Sequence, residues 1–380
     1  MIATPASPRA ASPASFLGRT LGLLLLPALL GVTGVVRAEG FDPAALPAYH
    51  PAQQVAGVIR NYGNGYAGLL QRWEDAFRRL QPGVTFQDTL PTSDAAFAGL
   101  ITGLGDLAPD GGEPAITETL AFFEVYGYHA TSITVASGTF DADGRSPGVV
   151  VFVNQANPID RLTLPQLDGI FGAERNGGLH GFEWSPVDAR GPDKDIRTWG
   201  QLGLTGDWAH RPIQTYGHAP SGASRFFELH VLASSDKWNP NYRGYVESGS
   251  KMIAAVDRQT QHLGIRHMLT EELARDESGI AWTIMPQAKG IGGIKPVALS
   301  AGPGQPFVFP SQATFQDRTY PLVRSIYIYL NRKPGTPVEP RLRQFLQFIL
   351  SREGQAIVAD GSGFLPLPAA AVADQRAKLD

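Results

Sequence analysis

The chain has 380 residues, 43% of them hydrophobic and 18% charged, with a net charge of −3 at neutral pH and no cysteine. The lack of cysteine excludes disulfides, cysteinyl metal centres, thiol nucleophiles and a lipid-bearing cysteine anchor. A mildly acidic balance without basic runs is a poor match to nucleic acid.

Residues 1–38 read as a secretory leader. Arg9 and Arg19 stand without any acidic residue, residues 21–36 are apolar but broken by Pro27, and Val36 and Ala38 put small residues before Glu39. Cleavage is expected after Ala38. The apolar run falls short of the about 20 residues a membrane span needs. Losing Arg9, Arg19 and Arg37 takes the net charge from −3 to −6, and the mature product is expected to be exported and soluble. Its length suits two domains or one large one.

Residues 56–60 form a short apolar run, read as a buried strand, and residues 61–66 are a turn rich in Asn and Gly. Leu69, Leu70, Trp73, Phe77 and Leu80 then fall on one side of a helix, which Pro82 and Gly83 stop. Residues 84–86 start a second strand. Thr92, Ser93 and Asp94 open a helix whose buried face is Phe97, Leu100 and Ile101, and residues 106–113 read as a loop. This alternation predicts an open α/β sheet, which binds ligands at the carboxyl ends of its strands.

Residues 122–135 mix aromatic and β-branched side chains, and residues 148–154 carry the strongest strand pattern of the chain. Residues 162–171 predict a short helix opening at Thr163. Residues 172–192 are glycine-rich and irregular, and 212–216 make a short strand. The stretch 216–232 changes character midway: turn residues up to Gly222, then Phe226, Phe227, Leu229 and Leu232 at helical spacing. Ser221 therefore stands at a helix start, as a plain cap or as part of an anion site. Arg225 in the first turn opposes the helix dipole, which makes sense beside a bound anion. Residues 252–273 read as mainly helical, 279–285 as a strand, 320–330 as a long strand and 341–358 as helix. His262 and His267 are five apart, not the four of a helical zinc pair. No Walker loop and no Gly-x-Ser-x-Gly elbow is present, so neither a cofactor, a metal nor enzymatic chemistry is expected.

Four segments, in order, resemble the periplasmic phosphate-binding proteins of ABC importers. They are residues 154–171, the Ser221-Gly222-Ala223-Ser224 loop, residues 320–329 with their Tyr-Pro-Leu-x-Arg pattern, and residues 351–367. The resemblance implies a two-lobe α/β binding protein with crossover strands and a ligand cleft between lobes. One lobe would hold residues 39–146 and 286–380, the other residues 147–285. It implies phosphate or a similar tetrahedral oxyanion as ligand, a membrane permease as partner, a monomer and a periplasmic location. Its ligand loops fall on Asn64 and Gly65, on Thr92 and Ser93, on Asp110 (or Asp106) as acceptor of the phosphate proton, and on Ser221, Gly222, Ala223, Ser224 and Arg225. Ala223 replaces a hydroxyl residue, and the family's arginine falls on Gly217, leaving Arg225, Arg60 or His218 as substitutes. Arg324 reads as structural or interlobe. The alternatives are a binding or sensory protein for another oxyanion and, further off, an exported phosphate-ester hydrolase.

Overall fold

Two five-stranded sheets organise the computed structural model, which describes residues 41–180, 183–247 and 264–380. The expected leader and most of the helix expected over 252–273 lie outside the described residues.

The first sheet joins β1 (Ala56–Tyr62), β2 (Gly83–Thr89), β3 (Leu107–Asp110), β4 (Thr131–Ser137) and the late strand Ser325–Leu330. The order is β2, β1, β3, the late strand, β4. β1 runs parallel to β2 and β3, while the late strand is antiparallel to β3 and β4. β3 corrects the loop expected over residues 106–113. Pro109 and the run of small and polar residues hide a strand that is held by its two neighbours. Helix α1 (Leu69–Leu80) packs Leu69, Leu70, Trp73 and Phe77 against Phe345 and Leu346 of the helix Pro340–Ile349. On the other face, α2 (Ala96–Ile101) and α3 (Ile116–Tyr126) bury Phe97, Leu100 and Phe122. Helices thus cover both faces of a largely parallel core, as an open α/β sheet requires.

The second sheet is built on β5 (Val149–Asn154), whose six residues are all buried. β5 lies between Gly279–Ile284 and Ile294–Pro296, and beyond the former come Gln214–His218 and Arg243–Tyr245. The second sheet therefore runs on past residue 285, where the sequence reading places the return to the first lobe. α4 (Leu164–Phe171) and α5 (Gly222–Val231) cover it, burying Leu167, Ile170, Phe171, Phe226 and Phe227. Thr163 caps α4 by accepting from the Gln166 N–H, as its sequence position predicts.

The chain passes between the sheets twice. It leaves β4 at Ser137 and enters β5 at Val149, and it returns through Leu322–Arg324 to the strand at Ser325. The crossovers are bonded to each other, with the Gly138 N–H donating to the Arg324 carbonyl (2.9 Å) and the Val149 N–H to that of Leu322 (3.1 Å). The long strand expected over 320–330 is shorter for this reason: Tyr320 and Leu322 are buried in the second core, so its first five residues are crossover. Among the described residues, no helix is long and apolar enough to cross a membrane.

Candidate functional site

The carboxyl end of β3 and the start of α5 face each other across a cleft of about 490 Å³. From the first lobe come Ser93, Asp94, Asp110, Gly111, Gly112 and Glu113; from the second come Pro220, Ser221, Gly222, Ser224, Arg225 and Glu228; Arg324 enters from the crossover.

The α5 end is preorganised by a reciprocal cap. The Ser221 hydroxyl accepts from the Ser224 N–H (3.2 Å), and the Ser224 hydroxyl accepts from the Ser221 N–H (2.7 Å). Each hydroxyl is pinned, while the first-turn N–H groups of α5 and the positive end of its dipole face the cleft.

Opposite, the Ser93 hydroxyl accepts from the Gly111 N–H and from the Asn64 amide, both at 3.0 Å. Its own proton is left to donate. Asp110 is 4% exposed, and its Oδ1 accepts from the Gly112 N–H (3.2 Å). Burial pushes the Asp110 carboxyl up to about 7, against the Ser93 hydroxyl and the Gly112 N–H, with the charges of Glu118 and Glu113 adding to the rise. Burial would also raise Glu113. There His230, 3.8 Å away, and the charge of Arg324 outweigh it and hold the carboxyl below its usual range.

Of the residues expected from the sequence, Ser93, Asp110, Ser221, Gly222, Ser224 and Arg225 meet at this cleft. The others do not line it. Asn64 spends its side chain on Ser93 and on the Tyr66 N–H (2.7 Å), so it orients the serine. Gly65 packs toward Leu90. Thr92 is exposed and caps nothing. The Ala223 methyl points into the core of the second lobe. Asp106 is taken up by Arg60 (2.5 Å), which removes both from contention. His218 is buried, bonded to the Thr283 hydroxyl (2.9 Å) and stacked on Trp282. Burial, aided by the Arg324 charge, drops His218 to about 3, so it stays neutral and supplies no cation. Arg324, Glu113 and Glu228 line the cleft without having been foreseen as ligand residues. Only the Tyr-Pro-Leu-x-Arg pattern drew attention to Arg324. Among the described residues, no group of three His, Asp or Glu side chains is placed to hold a metal ion. Fixed hydroxyls, helix-start N–H groups, two guanidiniums and, among the cleft's carboxyls, an Asp110 held well above its usual range suit a protonated oxyanion.

A family model described as a PBP superfamily domain matches residues 147–353. The phosphate-binding protein PstS of Pseudomonas aeruginosa is 33% identical over 341 residues, covering 89% of this chain and 92% of that protein. The phosphate-binding protein PstS of Staphylococcus saprophyticus is 23% identical over 327 residues, covering 85% of each. The crystal structure of PstS from Borrelia burgdorferi superposes with a TM-score of 0.51 at 14% identity, over 82% of this chain and 99% of that one, a likeness of fold.

Proposed function

The chain belongs to the phosphate-binding protein family within the PBP superfamily, and from that premise we propose that it captures phosphate between its lobes. It then delivers the anion to the membrane permease of an ABC importer and carries out no chemistry on it. One observation carries this reading: Ser93 and Asp110 of one lobe face the Ser221–Ser224 helix start of the other across one cleft. Hydrogen phosphate offers acceptor oxygens to the Ser93 and Ser221 hydroxyls and to helix N–H groups, and one proton to Asp110, while the Ser224 hydroxyl is spent on the Ser221 carbonyl (2.9 Å). Sulfate has no such proton, and its oxygens would face a carboxylate unpaired. Closure of the lobes about their crossovers would exclude water and strengthen every contact. Export after loss of the leader, a monomeric state and a cofactor-free site complete the proposal.

A second reading, another tetrahedral oxyanion, draws support from Ala223, whose methyl is turned into the core and supplies no hydroxyl. Titration calorimetry of the mature protein with phosphate, sulfate and molybdate separates the two. Saturable heat is expected with phosphate at micromolar protein, and turnover of a phosphate ester is expected to be nil. Heat with molybdate alone would move the assignment to the second reading.

A further inference from the structure

Resting on the phosphate reading, we propose that Arg324 supplies the guanidinium that grips the bound anion, and does so from the hinge rather than from a lobe. The loop before α5 has no space for such a group. A Cβ on Gly217 would lie 2.4 Å from Trp282 Nε1 and 2.5 Å from the Tyr242 hydroxyl. Arg60 is held by Asp106 and His218 is neutral. Arg225 remains in the cleft, but it leans on Glu118 of α3 at 3.9 Å.

Arg324 has the opposite character. Its Nε is buried and lacks a hydrogen-bond partner. Among the described residues, the guanidinium forms no ion pair. It rests over the Phe226 ring at 5.6 Å. Its Nη2 lies 2.5 Å from where a Gly112 Cβ would be, and 3.8 Å from the same position on Gly222. The glycines belong to the two facing walls of the cleft, so the fork sits between β3's loop and the start of α5. Glu113 and Glu247 both feel its charge without pairing with it. A planar fork of this kind meets two oxygens of one phosphate at once, which a lysine does not. The Arg324 backbone is tied to the other crossover through Gly138, so the cation is carried by the segment about which the lobes would close.

The test is calorimetry of the mature protein and of Arg324→Gln, Arg324→Lys and Gly112→Ala, with thermal unfolding of each unliganded variant. Arg324→Gln is expected to weaken phosphate binding by about 10- to 100-fold, the range for a hydrogen bond to a charged group. Sulfate should weaken in parallel, because a guanidinium does not read the phosphate proton. Arg324→Lys should recover part of the loss. Gly112→Ala keeps the charge but crowds the fork, and should also weaken binding. Wild-type protein that binds phosphate alongside Arg324→Gln of unchanged affinity would overturn this role and leave the phosphate reading standing. Wild-type protein without phosphate heat would overturn the phosphate reading and this role together. If Arg324→Gln does not fold, Arg324→Lys and Gly112→Ala decide, and unchanged affinity in both overturns the role.

Discussion

Asp110 is a carboxyl placed where its charge is costly. Between pH about 4 and pH about 7 the folded chain keeps a proton there that the unfolded chain has lost, so stability falls as pH rises through that window. A rise from 3.8 to about 7 corresponds to at most about 4 kcal/mol, all of it expressed above pH 7. Asp110→Asn should therefore raise the melting temperature of the unliganded protein at pH 8, with the gain fading to nothing near pH 4. On the proposed function, the same titration should also set selectivity. At pH 5.5 a protonated Asp110 presents a donor, and sulfate becomes tolerable; at pH 8 it presents an acceptor, and sulfate is repelled. Competition calorimetry should show sulfate closer to phosphate at the lower pH, and Asp110→Asn should remove that dependence. The sequence held Ser93 and Asp110 as candidates because the resemblance placed ligand loops on them. It could not separate Ser93 from Thr92, or Asp110 from Asp106. That choice is made by Asn64 and Gly111 on one serine and by Arg60 on one aspartate, all distant in sequence.

At the scale of elements, the α5 cap holds the helix start and, on the proposed function, would also meet the anion, and a substitution can part the two. Ser221→Ala removes the acceptor of the Ser224 N–H and should cost about 1 kcal/mol of stability while weakening phosphate. Ser221→Asp keeps a good cap but sets a carboxylate at the anion's place. Its thermal unfolding should match wild type while its phosphate isotherm is lost. α5, α1 and β5 were legible because their apolar spacing survives burial on one face or on both. α3 was not. Ile116, Leu120 and Val125 stay exposed while Phe122 is buried, so no clean apolar stripe marks a helix over residues 116–126. β3 escaped notice for the converse reason, since four residues containing a proline show no alternation.

For the whole molecule, the paired crossovers set how the lobes relate. Gly138 has no room for a side chain, because a Cβ there would come within 1.8 Å of the Ser146 carbonyl. Gly138→Ala should destabilise the protein by about 1–3 kcal/mol, the usual cost of forcing atoms into packed space, read as a lower melting temperature. Among the described residues, Arg225 and Glu118 at 3.9 Å and His230 and Glu113 at 3.8 Å approach across the cleft's edge. The two-lobe plan was legible from the order of four segments, while the extent of the second sheet was not. Ile294–Pro296 is three residues long with a proline, and only its pairing with β5 reveals it.

The late strand Ser325–Leu330 lies between β3 and β4. In a chain made from its N-terminus, the first sheet therefore lacks an interior strand until the last part of synthesis. Every described strand of the second sheet lies between Val149 and Pro296 and is available earlier. The lobe that begins first finishes last, and its sheet stays an open, incomplete template until the strand at Ser325–Leu330 has been delivered.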